Sequence, residues 1–241
     1  MIEENYFSYP SKKMATREAS LALSKELTQL SIKKIPILLL LSGGSALKLL
    51  DNVDISWIGH NVTIGVLDER FSTDESVNNY SQLTKTKFYQ QSREAGCSFI
   101  ETYVLSNETQ EMLCERFEKA LKEWKQTNPT GIIFITQGEG PDGHTSGVLP
   151  FPENPELFKE LFLNPKKWVV AYDANSKSSY PLRVTTTLSF LKEVNISFLF
   201  VCGSDKKGAL SSALDAEGTL AETPARIIQE MPDVRIFTDI S

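Results

Sequence analysis

Short, mostly apolar runs at Ile37–Leu41, Val62–Leu67, Ile132–Ile135 and Ile196–Cys202 each give way at once to a polar or glycine-rich segment. Runs of four to seven residues without regular polar alternation read as strands buried on both faces, which is the pattern of a parallel sheet covered by helices. Helical patterns fall between them. Alternation of this kind predicts an α/β fold with a mostly parallel sheet. At 241 residues, 41% of them hydrophobic, the chain can bury the core of one large α/β domain spanning 1–241.

Ser11 is placed to cap a helix over about residues 12–31, in which Ala19, Leu23, Leu27 and Leu30 recur at helical spacing before Pro36. Ser42-Gly43-Gly44-Ser45 leads from the first strand into a helix beginning at Ala46-Leu47. The strand Val62–Leu67 ends in Asp68-Glu69-Arg70, and a helix is expected from Asn79 to Gln90. Asn107 with Gln110 resembles a capping box for a helix whose apolar face is Leu113, Phe117, Leu121 and Trp124, ending before Asn128-Pro129. Pro150, Pro152 and Pro155 mark an irregular connection, and Trp168–Tyr172 reads as a strand. Val184–Leu188 fits a strand or the entry to a helix. A helix to about Asp215, another from Pro224 to Met231 and a strand at Val234–Thr238 complete the reading.

In a parallel sheet the strand ends lie along one edge, and ligands bind there. The loop after the third of these strands, Thr136 to Gly147, holds glycines at 138, 140, 143 and 147 around Asp142 and His144. Glycines bury almost nothing, so they serve tight turning and close approach. A carboxylate and an imidazole two residues apart can converge on one ligand, and histidine exchanges protons near neutral pH; a surface turn with a capping Asp would look the same. Ser42, Gly43, Gly44 and Ser45 at a helix start offer backbone N–H groups suited to phosphate, with Arg183 and Lys206 as candidate cations. Asp68 and Arg70 either both face the crevice or pair with each other. His60 is read as a turn residue.

A net charge of −6 argues against nucleic acid as partner, since a phosphate-backbone binder needs a basic surface. Cys97, Cys114 and Cys202 are odd in number and far apart, with no CxxC pair, so neither a disulfide framework nor a zinc cluster is expected. The N-terminal residues lack a signal-peptide pattern and no apolar run approaches the length of a membrane span. A cytoplasmic protein without membrane attachment is expected.

Leu41-Ser42-Gly43-Gly44-Ser45, Asp68-Glu69-Arg70, Asn79-Tyr80, Gly138-x-Gly140-Pro141-Asp142-Gly143-His144-Thr145, Arg183-Val184-Thr185, Gly203-x-x-Lys206 and Pro224-Ala225 resemble, in order and spacing, the 6-phosphogluconolactonases of the wider glucosamine-6-phosphate deaminase-like group. The resemblance implies a Rossmann-like three-layer fold and hydrolysis of 6-phospho-D-gluconolactone to 6-phosphogluconate in the pentose phosphate pathway. It implies no metal and no organic cofactor. It casts His144 as the group that activates water, with Asp142, Asp68 and Arg70 at the reaction centre. Ser42, Gly43, Gly44, Ser45, Arg183 and Lys206 would hold the phosphate. The substrate would be a small sugar phosphate lactone, and the protein a monomer or a homodimer.

Two departures stand out. The family usually continues SGGS with Thr-Pro, where this chain has Ala46-Leu47, so a phosphate-side hydroxyl is missing. After GHT it usually has Ala-Ser-Leu-Phe-Pro, where this chain has Ser146-Gly147-Val148-Leu149-Pro150, so a looser loop exit is expected. A deaminase of the group would carry a glutamate five residues after the loop histidine, where Leu149 stands. A sugar-phosphate-binding protein without catalysis is the remaining alternative.

Overall fold

The computed structural model describes residues 2–56 and 58–240; of Ile2, Glu3 and Ser45, only the backbone is described. Strands β1 (Tyr6–Ser8), β2 (Ile37–Leu41), β3 (Val62–Val66), β4 (Asp68–Arg70), β5 (Ser98–Phe99), β6 (Ile132–Gly138), β7 (Val169–Asp173), β8 (Leu182–Thr186), β9 (Ile196–Val201) and β10 (Val234–Thr238) build two sheets. Seven strands in the order β1-β10-β9-β6-β2-β3-β5 form a wholly parallel sheet. The other three, β4-β8-β7, form a small antiparallel one.

Side-chain alternation along each strand sorts the core into two faces. Ile37, Leu39 and Leu41 of β2 join Ala15, Ala19, Leu23 and Leu27 of helix α1 (Lys12–Ile32). Leu38 and Leu40, pointing the other way, join Leu113, Phe117, Leu121 and Trp124 of a helix over Gln110–Thr127. Each fully buried leucine contributes about 1.5–3 kcal/mol relative to exposure, so the unbroken Leu run is stable only between two helical layers. Ser11 caps α1 as expected, accepting from the Met14 N–H at 3.3 Å.

Several expectations are corrected. The helix foreseen over Asn79–Gln90 is two: α2 (Asn79–Thr84) and α3 (Lys87–Glu94), broken where the Thr86 hydroxyl accepts from the Tyr89 N–H at 3.1 Å and so starts a new helix. The Gln110–Thr127 helix, α4, is capped by Thr109 rather than Asn107, which instead takes a left-handed φ of 61°. The proline-rich connection contains α5 (Pro155–Phe162), with Asn154 as cap and Pro155 in the first turn. Val184–Leu188 is both things: the end of β8 and then, after the cap Thr187, helix α6 (Leu188–Leu191). A helix α7 (Lys207–Leu214) follows β9, while Gly44–Asn52 and Pro224–Glu230 are 3₁₀ rather than α-helical.

The connections run outward from β2 through β3 to β5, then return to the opposite side of β2 with β6. The carboxyl ends of β2 and β6 therefore flank the point where the winding reverses, the usual place for a ligand crevice.

Candidate active site

Past β6 the chain doubles back within five residues: the Gly140 N–H donates to the His144 carbonyl at 2.9 Å and the Gly143 N–H to the Gly140 carbonyl at 3.0 Å. A Cβ on Gly140 would stand 2.1 Å from His144 Nδ1 and Cε1, so only glycine lets the imidazole fold over the turn. His144 Nδ1 lies 2.5 Å from Asp142 Oδ1. With Nδ1–H committed to that carboxylate, the ring's acceptor lone pair is on Nε2. Desolvation pushes the Asp142 carboxyl up, but the hydrogen bond and charge of His144 outweigh it and hold the group below its ordinary range.

The loop's exit is not loose, contrary to expectation. Tyr172 Oη donates to the Gly147 carbonyl at 2.6 Å and Thr185 Oγ1 to the Ser146 carbonyl. A Cβ on Gly147 would lie 2.6 Å from Asp68 Cβ; the glycine gives Asp68 its place.

Asp68 and Arg70 are two apart on β4 and so share a face. Register sets Arg70 opposite Arg183 of β8, which places two guanidinium stems about 4.5–5.5 Å apart at Cβ. Arg183 is thus inside a strand of the small sheet, not after a strand end. Asp68 pairs with Arg183, at 3.6 Å, and not with Arg70. Arg183 also donates through Nε to the Tyr180 carbonyl at 2.9 Å and through Nη2 to Ser178 Oγ at 2.8 Å. Arg70 is less committed: it lies over the Tyr180 ring at 5.2 Å, reaches the Val77 carbonyl at 3.5 Å, and its buried Nε has no partner.

Between them Glu69 points the opposite way and is fully buried. It accepts from the N–H groups of Arg70, Asn79 and Tyr80 at 2.8, 2.6 and 2.9 Å and from Thr102 Oγ1 at 3.1 Å. Burial pushes its carboxyl up to about 8 against those donors. By holding the start of α2 it fixes Asn79, whose Nδ2 donates to the Asp68 carbonyl at 2.9 Å and to Asp68 Oδ2 at 3.3 Å. Asn79 also fills the space beside Gly43, where a Cβ would be 2.3 Å from its Oδ1.

Across the crevice Gly43 stands at the start of the 3₁₀ turn without a side-chain cap. The Ser42 N–H is spent on the Thr136 carbonyl at 3.1 Å, so the phosphate donors expected from this loop begin at Gly43. Lys206 ends a single 3₁₀ turn, Ser204–Lys206, after β9. Ser42, Gly43, Gly44, Asp68, Arg70, Asn79, His144, Arg183 and Lys206 all line one cavity of about 280 Å³. Asp142 sits behind His144, and the Ser45 side chain lies outside the described residues. His60 packs by Gly96, away from this crevice. No group of three or more His, Cys, Asp or Glu side chains able to hold a metal forms among the described residues.

One lining residue escaped sequence reasoning. Glu139, the open position in Gly138-x-Gly140, is 2% exposed and neither carboxyl oxygen has a partner. Nothing in the sequence separates it from a solvated glutamate; only the lack of donors around it does.

The sequence pattern described as glucosamine-6-phosphate isomerases/6-phosphogluconolactonase matches residues 10–236. The chain belongs to this family. Among its relatives, the 6-phosphogluconolactonase of Xylella fastidiosa (strain 9a5c) is 25% identical over 226 residues, 92% of this chain and 87% of its own. Of solved structures, a 6-phosphogluconolactonase from Shewanella baltica OS155 superposes with a TM-score of 0.73 at 20% identity, covering 99% of both chains. The 6-phosphogluconolactonase from Plasmodium vivax gives 0.75 at 14% identity over 97% of this chain and 89% of its own. The three-layer α/β fold is therefore that of these enzymes, and family membership covers both of the activities in the family's description.

Proposed function

We propose that this chain hydrolyses 6-phospho-D-glucono-1,5-lactone to 6-phospho-D-gluconate, the step that opens the lactone in the pentose phosphate pathway. The observation that carries the reading is the His144–Asp142 pair at 2.5 Å on the wall of a cavity that also holds Arg70, Arg183 and Lys206. Water attacks the lactone carbonyl carbon while His144 Nε2 takes its proton. Arg70, which lines the same cavity, faces the oxyanion that forms. As the ring C–O bond breaks, the imidazolium returns the proton to the leaving ring oxygen, so no group on the protein is consumed. Gly43, Gly44, Lys206 and Arg183 hold the phosphate. A lactone is an activated ester, so placing its carbonyl and supplying a base are the main demands.

Leu149 separates this reading from a deaminase. It is 4% exposed and packed among Val148, Phe151 and Phe158 in the core, so no carboxylate occupies the position five residues after His144. The three cysteines are unpaired, which suits the reducing cytoplasm, and among the described residues no helix is long and apolar enough to cross a membrane. The test is a coupled dehydrogenase assay with freshly made lactone at low temperature, spontaneous hydrolysis subtracted, run beside an ammonia-release assay with glucosamine 6-phosphate. Acceleration in the first alone supports the lactonase. Ammonia release would replace it with the deaminase, and tight 6-phosphogluconate binding without either reaction would leave a binding protein.

The pair also sets an expectation for Asp142. Against desolvation, the hydrogen bond and charge of His144 hold its carboxyl below the ordinary range, so the ionised group can keep Nδ1–H and leave the Nε2 lone pair toward the cavity. Asp142→Asn should lower kcat by about tenfold or more with KM little changed, because the amide no longer fixes the tautomer. Steady-state kinetics showing wild-type turnover in the variant would break the proposed coupling.

A further inference from the structure

Glu139 lines the cavity, and its carboxyl group lies buried just behind that lining with no partner. Its backbone is fixed by pairing with Thr145, it is 2% exposed, and both oxygens lack a donor. An acid that costs several kcal/mol to ionise without partners survives in a folded chain most readily as the neutral form. The charged groups that act on it are Lys206 from the turn after β9 and Asp142 on its own loop, while His144 from that loop and Asp68, Arg70 and Arg183 from β4 and β8 line the same cavity. Lys206 attracts an anion to this wall. A neutral carboxylic acid beside that anion has one useful thing to offer, an O–H.

We propose that Glu139 is a further phosphate-binding residue, its carboxylic acid turning from its buried position toward the cavity to donate a hydrogen bond to the phosphate that Lys206 attracts. The proposal rests on the reading that Lys206 serves the phosphate end of the ligand. Burial pushes the Glu139 carboxyl up to about 8, against the pull of Lys206 and with the help of Asp142. The donor is therefore present at neutral pH and is lost as the pH rises through that value. Above it, a carboxylate would both repel the phosphate and neutralise Lys206.

Calorimetric titration of 6-phosphogluconate and of unphosphorylated gluconate, from pH 7 to pH 9.5, tests this on wild type, Glu139→Gln, Glu139→Met and Lys206→Ala. Wild-type affinity for 6-phosphogluconate should fall by about tenfold per pH unit above the midpoint, while Glu139→Gln, which keeps a donor that cannot ionise, should match wild type at pH 7 and stay flat. Glu139→Met should bind 6-phosphogluconate about tenfold or more weakly at pH 7 and gluconate unchanged. Melting curves give a second readout of the same buried acid. Its raised pKa means wild type loses stability between about 4.5 and about 8, so Glu139→Gln should gain Tm over wild type at pH 9 and not at pH 4.

A wild-type pH slope retained in Glu139→Gln, with binding lost in Lys206→Ala, would overturn the proposal and leave the phosphate site standing. Equal losses for gluconate and 6-phosphogluconate in Glu139→Met would assign the carboxyl to the sugar instead. Unchanged affinity in Lys206→Ala would remove the phosphate reading and this proposal together.

Discussion

Replacing His144 by alanine is expected to lower kcat by about 10²-fold or more while KM changes little, because a general base acts in the transition state and adds little to ground-state binding. The histidine is on the rim, its side chain 40% exposed, and its backbone, not its ring, closes the Gly140 turn. Melting should therefore be near that of wild type, which separates lost chemistry from lost folding. The residual rate reports what the cations and the positioned carbonyl supply alone. Steady-state kinetics on fresh lactone, corrected for the uncatalysed reaction, make the measurement. Turnover in His144→Ala comparable with wild type would show that the ring serves only to hold Asp142, and the base would have to be sought elsewhere in the cavity.

The strands that carry the site were legible because their physics is local. Five consecutive apolar residues at Ile37–Leu41 fit only between two covering layers, and the glycines after β6 have no packing use, so the loop with Asp142 and His144 announced itself. What stayed hidden depends on pairing at a distance. The three residues of β4 are too few for any periodicity, so nothing in Asp68-Glu69-Arg70 says that Arg70 lies opposite Arg183, 113 positions later in the chain, or that Asp68 chooses Arg183 over its near neighbour. Glu69 shows the same limit. Its place in Asp68-Glu69-Arg70 gives it no role, since the four donors that surround it come from three separate segments. Ser146-Gly147 read as a weakness, yet the glycine leaves room for Asp68 and Tyr172 pins its carbonyl. Local signals name the residues; tertiary register decides what each one faces.

That register also separates two substitutions which the sequence alone would treat alike. Lys206→Ala and Arg183→Ala are each expected to weaken 6-phosphogluconate binding by about 1.5–3 kcal/mol, the range for a hydrogen bond to a charged group. Lys206 is half-buried at the end of one 3₁₀ turn, so its removal should leave the fold intact. Arg183 is different. Its guanidinium ties Ser178 and Tyr180 to β8 and faces Asp68, whose side chain is 9% exposed. Truncating it leaves Asp68 with Asn79 as partner and should cost about 1–3 kcal/mol of stability besides affinity. An Asp68→Asn change in the same background removes the stranded charge, so it should recover much of that stability and none of the affinity for phosphate. Titration calorimetry with 6-phosphogluconate and with gluconate, beside denaturant melts, resolves the two contributions. If neither single variant loses affinity for the phosphorylated ligand, the phosphate is held elsewhere. If Arg183→Ala loses stability alone, Arg183 is a structural partner of Asp68 and the anion is left to Lys206, Arg70 and the Gly43-Gly44 backbone.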